Sequence, residues 1–300
     1  MALPQTGIFA LGTVAHAYLE LDLIQGADPR ALVSGAAGLS EPRTTLGGVN
    51  LVTGFRPELW AGVAPASTPE RVTSFTEPVV GRDGYTMPAT QHDLVLWVAG
   101  ASYDVVFDAA IEMSAALRDV AALADETAGW SYHRDLDLTG FIDGTENPSL
   151  SEAPAYALVP DGAPGAGGSI LLLQKWAHDA AAWSSLTVEE QEQVMGRRKS
   201  DSEELEDKPD TSHVARTDQD KFGKIFRRNT PYGSVLDHGT MFVGFSAQQR
   251  PLAVMLASMA GVTGERDALT RYSLPLTGAY YFVPSLDDLA AFAPPEDESD

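Results

Sequence analysis

The nine residues "GFIDGTENP", 140–148, combine two acids, two glycines and a closing Asn-Pro directly after the alternating run "DLDLT". Asp143-Gly144 is a strong two-residue turn signal and Asn147-Pro148 favours a second turn, so the residues alone admit a plain loop. They also admit a carboxylate held at the tip of a tight turn, where it is available for proton transfer. A second chemical stretch is "SHVARTD" (212–218), with one histidine. A third is "RRNTPYG" (227–233), with adjacent arginines and an asparagine. Each group taken singly is an ordinary surface or packed residue. Together they would supply an imidazole ligand, an acid and a fixed positive charge.

Other chemistries are excluded by what the chain lacks. There is no cysteine, hence no disulfide, thiolate-bound metal, iron–sulfur cluster or thiol nucleophile. The six histidines, at 16, 92, 133, 178, 213 and 238, form neither HExxH nor an i, i+4 pair, which argues against a zinc hydrolase. No GxSxG elbow and no dinucleotide fingerprint is present. The Gly-rich "PDGAPGAGGS" (160–169) lacks GK[ST] and precedes a strand, so it reads as a linker and not a phosphate cradle. The formal charge of −22 speaks against nucleic acid or anionic membrane as partners, since both require a basic face. The first basic residue is Arg30 and no apolar run approaches the roughly 20 residues of a spanning helix, so a cytoplasmic location is expected.

The elements that must carry these residues are partly legible. "HDLVLWVAG" (92–100), "SILLLQKWA" (169–177), "TMFVGFSA" (240–247) and "GAYYFVPS" (278–285) read as strands. Apolar spacing of three and four predicts helices over 104–124 and 248–261, and Thr187 with Glu190 forms a capping box opening a third over 188–198. A short helix closes the chain at 285–292. With 44% apolar residues over 300 positions, two α+β units are expected, separated at the Gly/Pro-rich 160–169. The acidic runs at 201–210 and at the C-terminus read as solvated surface.

Taken in order, "GFIDGTENP", "SHVARTD" and "RRNTPYG", followed by "HGTMFVGFS" and "TGAYYFVPSLDDL", resemble the B-type bacterial branch of the dye-decolorising peroxidases, most strongly from about 130 onward. The resemblance implies an α+β fold of two ferredoxin-like domains with antiparallel sheets, of the dimeric α+β barrel type. It divides them as 1–140 and 141–300, with haem b held mainly by the second. It further implies a haem peroxidase that reduces hydrogen peroxide through a ferryl intermediate and oxidises dyes, phenolics or other small reductants, and a homo-oligomer. Position by position, His213 matches the iron ligand. Asp143 matches the distal acid and Arg227 the distal arginine, with Asn229 lining the same pocket. Ile142, Gly144 and Thr145 would lie against the cofactor, with Gly144 letting the backbone approach its edge. Asp267 would accept from the second nitrogen of His213, Asp218 or a backbone carbonyl being the alternatives. Arg216 would pair with a haem propionate or else lie on a surface helix without a role, and Arg228 would stay at the surface or near a propionate. The competing function is a haem-handling protein with little turnover, for which a distal acid and arginine have no use. The tail "APPEDESD" does not resemble the Gly-Ser-Leu docking peptide of some relatives, which argues against a nanocompartment shell as partner.

Overall fold

A computed structural model describes residues 2–39, 48–134 and 136–294. In chain order the first half contains β1 (Ala15–Leu23), α1 (Pro29–Ala37), β2 (Val49–Phe55), α2 (Pro57–Val63), the small pair β3 (Val79–Val80) and β4 (Thr86–Met87), β5 (Leu94–Gly100), α3 (Tyr103–Leu117) and β6 (Ala121–Trp130). The second half contains α4 (Ala153–Ala157), β7 (Ser169–His178), α5 (Ala180–Ser184), α6 (Val188–Met195), α7 (His213–Arg216), α8 (Gln219–Phe222), β8 (Phe226–Arg227) and β9 (Thr230–Gly233). It continues with β10 (His238–Ser246), α9 (Gln249–Ala260), β11 (Ser273–Pro275), β12 (Ala279–Val283) and α10 (Leu286–Ala290).

The strands of both halves form one antiparallel sheet in the order β7-β12-β2-β5-β1-β6-β9-β10, and β10 returns to β7 to close an eight-stranded barrel. β11 extends β7 beyond the closed ring, while β8 continues the line of β9 along β10. Side chains alternate between the barrel interior and the outside, where helices cover most strands; β6 is less covered, with Ala122, Leu123, Ala124 and Glu126 exposed. Along β1 this alternation is explicit: Ala17, Leu19 and Leu21 pack outward against α1 and α3, and Tyr18 joins Trp97, Phe245 and Tyr281 inside. His16 and Glu20 are buried at the alternate positions of β1, on either side of Tyr18. The interior is therefore partly polar. Burial pushes the Glu20 carboxyl up to about 7, opposed by the hydroxyl of Tyr281, which donates to it. It pushes the His16 imidazole down to about 4.

Three local expectations need revision. The helix expected over 104–124 ends at Leu117, and residues 121–130 are a strand paired along the whole of β1. The helix-favouring "AALA" is overruled there by a ladder to a strand a hundred residues earlier. The helix opening at the Thr187–Glu190 capping box stops at Met195, where Gly196 takes a left-handed φ of 85°, so Arg197 and Arg198 lie beyond it. The stretch 160–169 does not bridge two separate bodies. A Cβ on Gly165 would stand 2.8 Å from Pro69, and one on Gly168 2.7 Å from Phe282, so the turn is packed against the rest of the barrel. The acidic tail from residue 295 lies outside the described residues, and among those described no helix is long and apolar enough to cross a membrane.

Candidate active site

A deep cleft lies between the outer face of β7 and β10 and the layer built from α6 to α9; its empty space, mouth included, is about 1230 Å³. One wall is apolar, with Leu172, Trp176, Phe242, Leu252, Met255 and Met259 among its lining. His213, Asp143, Arg227, Asn229, Ile142, Gly144 and Thr145 line the same cleft.

His213 is the first residue of α7, a single turn capped by the Ser212 hydroxyl. Its Nδ1 lies 2.7 Å from Oδ2 of Asp267, a residue with no exposed surface whose other oxygen accepts the N–H of Leu269 at 2.9 Å. The carboxylate only accepts, so Nδ1 carries the hydrogen and the neutral ring keeps its Nε2 lone pair for a ligand. Asp218, the alternative partner, caps α8 instead. The structure does not bring Arg216 to the cleft. Its guanidinium donates to the carbonyls of Asp210 and Glu265, at 2.6 and 3.2 Å, on the exposed side of α7. A histidine at the start of one helical turn faces inward, and the residue three positions on falls on the outer side.

Asp143 and Arg227 meet through two asparagines. The Asn229 amide donates to Asp143 Oδ1 at 3.1 Å and accepts the N–H of Val243 at 3.1 Å. Between β8 and β9 the chain keeps its register along β10, with the Arg228 N–H donating to the Val243 carbonyl at 2.9 Å and the Asn229 side chain accepting the N–H of Val243. Successive residues of an extended segment point to opposite faces, which sends Arg227 and Arg228 to different surroundings. Asn147 donates to the carbonyl of Arg227 at 2.8 Å and accepts its N–H at 2.9 Å. The turn at Asp143-Gly144 is thus one part of a brace. Gly144 has φ 74°, and a Cβ there would stand 2.9 Å from the Asn147 amide nitrogen, which gives this glycine a steric reason beyond any approach to a ligand. Among the described residues no ion pair joins Asp143 to Arg227; Asn229 is the carboxylate's donor.

Arg228 is not at the surface and does not line the cleft. It is 8% exposed, donates to the carbonyls of Gly7 and Ala10 and to the Thr13 hydroxyl, and lies 4.6 Å over the Trp97 ring. Burial lowers its guanidinium to about 10.

Sequence reasoning passes over three further residues. Asp137 lines the cleft, and burial raises its carboxyl to about 6, although the N–H and hydroxyl of Thr139 both donate to it. In "DLDLT" it is indistinguishable from a solvent-facing strand residue. Asn147 was visible, but only as a turn former. Arg197 lines the cleft and is bound to Glu146 at 2.7 Å and Glu204 at 3.1 Å. The acidic run 201–210 is therefore partly tied down, since Asp201 and Glu203 also hold Arg198.

The donor set limits what the cleft can hold. Among the described residues no three His, Asp or Glu side chains are grouped to bind a metal. A metal here must bring most of its ligands with it, as a macrocycle does. Buried groups without partners also remain in the cleft: Nε of Arg227 and both amide atoms of Gln174. A broad apolar wall, one imidazole with a free nitrogen and unpaired donors fit a large flat metal complex such as haem.

Fold and site thus define an antiparallel α+β barrel protein with a one-histidine cofactor cleft. The chain belongs to the Dyp-type peroxidases: the family's N-terminal part matches residues 6–131 and its C-terminal part residues 134–288. It is similar to the dye-decolorizing peroxidase of Rhodococcus erythropolis, with 34% identity over 304 residues, 96% of this chain and 88% of that one. A second relative is the dye-decolorizing peroxidase of Mycobacterium tuberculosis, at 35% identity, with 85% and 78% covered. Among solved structures, a Dyp-type peroxidase protein from Shewanella oneidensis superposes with a TM-score of 0.89 at 32% identity, covering 98% of this chain and all of that one. A variant of DypB from Rhodococcus jostii RHA1, solved in complex with heme, gives a TM-score of 0.85 at 33% identity, with 96% and 98% covered.

Proposed function

We propose that this peroxidase holds haem b in the cleft and reduces hydrogen peroxide at the expense of dyes, phenolics or other small reductants. The observation that carries the reading is the His213–Asp267 pair at 2.7 Å, facing a cleft that Asp143, Asn229 and Arg227 also line. All but Asp137 and Thr139 of the residues lining that cleft come from 141–300, in keeping with a cofactor-bearing C-terminal domain whose boundary lies near 140.

Bound haem would supply the redox chemistry, passing oxidising equivalents from peroxide to the reducing substrate. The chain's own contribution is positioning and charge. His213 offers Nε2 to the iron, and Asp267 fixes the ring and makes it more electron-rich. Asp143 would act as the proton shuttle, taking a proton from one peroxide oxygen and returning it to the other, so that the latter can leave as water. Arg227 places a permanent positive charge where negative charge grows on that oxygen. Asn229 holds the carboxylate in line, and Ile142, Gly144 and Thr145 form the adjoining wall.

The test is the optical spectrum of haem-loaded protein before and after one equivalent of hydrogen peroxide. A high-spin ferric Soret band that converts within the mixing time supports the assignment. A band that peroxide only bleaches would point to haem handling without turnover, and no band at all would return 140–148 to a structural turn.

A further inference from the structure

A second cavity shares Asp137, Asp143, Gly144, Arg227 and Asn229 with the first and extends away from it between β6, β9 and the segment before β1; its empty space, mouth included, is about 1370 Å³. The residues it adds include His16, Trp130, Tyr132, Arg134 and Arg228.

Its charge runs against that of the molecule. The chain carries −22, yet this cavity is lined by three arginines and two aspartates. Burial keeps one of those aspartates, Asp137, protonated up to about pH 6. Among the described residues none of the three arginines has a carboxylate within ion-pair distance. Arg228 is held by two carbonyls and a hydroxyl, which fix its position without cancelling its charge, and among the described residues the buried Nε of Arg227 has no hydrogen-bond partner. Low-dielectric walls concentrate such a field in the concavity, so an anion that the outer surface repels is attracted here.

The mouth supplies a complementary feature. Trp130 and Tyr132 meet edge to face at 6.0 Å, and Tyr132 packs on His133 at 4.3 Å. His133 and Arg134, neither of them glycine, both have left-handed backbone, φ 41° and 65°. Consecutive residues in that conformation are costly and concentrate where a loop is held for a purpose.

From these observations we infer that the second cavity is the reductant site and that it selects small anionic aromatics, of the class of a phenol bearing a carboxylate. The inference rests on the peroxidase reading above and adds the substrate class. The guanidiniums attract the carboxylate while the aromatic pair at the mouth offers a surface to the ring. In each oxidation the phenol would give up one electron and its phenolic proton, both consumed in reducing peroxide. Two phenols per hydrogen peroxide yield two phenoxyl radicals and two waters.

Benzoate, which has the anion and the ring but no oxidisable hydroxyl, separates binding from turnover. Titration calorimetry on the haem-loaded protein without peroxide should show benzoate binding roughly tenfold or more tightly than neutral benzamide, the scale of one charge-assisted hydrogen bond. The preference should shrink as salt is raised. Arg134→Ser, at the exposed mouth, should weaken benzoate severalfold, and Arg216→Ser, an arginine outside the cavity, should leave it unchanged. Equal affinity for benzoate and benzamide, or equal loss in both arginine variants, would overturn the inference. Haem loading is read independently from the Soret band. A loaded protein indifferent to benzoate therefore sinks the substrate class alone, whereas a protein that takes up no haem sinks both readings.

Discussion

The side chain of Asn147 is hydrogen-bonded at both ends to the main chain of Arg227, donating to its carbonyl at 2.8 Å and accepting its N–H at 2.9 Å. Residues 80 apart in sequence are thereby joined as two strands would be, and Asp143 and Arg227 are set on one brace.

Asn147→Ala should therefore slow the reaction with peroxide, because the arginine's backbone is no longer fixed, while haem uptake stays near that of the parent. A loss of roughly 100-fold is the scale expected of an ångström's misplacement. Stopped-flow rates alongside Soret titration would check it. Gly144→Ala should act in the same direction, since its φ of 74° and its 2.9 Å approach to the Asn147 amide leave no room for a Cβ.

His213→Ala should abolish stable haem retention; unchanged retention in a haem titration would sink the ligand assignment. Asp267→Asn keeps the size of the buried partner and removes its charge. It should retain haem but raise the Fe(III)/Fe(II) midpoint potential, because the imidazole becomes a weaker electron donor. An unaltered potential would show that the 2.7 Å contact is structural only.

Arg227→Leu should reduce the rate with peroxide by about 10²–10³, the usual cost of removing a fixed charge from an oxyanion site. The effect of Asp143→Ala should be smaller, since water can carry the proton and Asp137 offers a second acid in the same cleft. Combining Asp143→Ala with Asp137→Asn should then cost more than either change alone. If Asp143→Ala proves the slower of the two single variants, charge stabilisation is not the dominant contribution.

Glu20 gives a prediction about stability. Its folded value, about 7, lies above its ordinary 4.5, so its proton is held more tightly in the folded state. Stability is fully present below about pH 4.5 and is lost as the pH rises through 7, when a charge must form in the barrel beside Tyr281, His92, Asp125 and Asp22. Glu20→Gln keeps an acceptor for the Tyr281 hydroxyl and avoids the charge. It should match the parent near pH 4.5 and exceed it above pH 7, by up to about 3 kcal/mol. Denaturant unfolding at the two pH values provides the measurement, and a gain of equal size at both would rule the account out.

The sequence by itself determined what local chemistry can write. The capping box at Thr187 and Glu190, the strands around 94–100 and 169–178, and α9 with its stop at Gly261 follow from propensity, periodicity and backbone freedom within a few residues. It also placed His213, Asp143 and Arg227 in recognisable segments. Tertiary structure decided the remainder, because burial and pairing depend on partners far along the chain. β1 contains His16 and Glu20, polar residues that mark a solvent face in an open sheet and an interior in a closed barrel. The run 121–124 joined a strand only because β1 lay beside it. The surroundings of Arg216 and Arg228 were not legible, since a guanidinium's charge does not encode what surrounds it: one faces solvent across a single helical turn, and the other is closed in by carbonyls from the chain's first residues. The ligand's support at Asp267, 54 residues away, and the brace at Asn147 arise from the same cause, two short polar side chains given their partners by the packing of strands and helices around them.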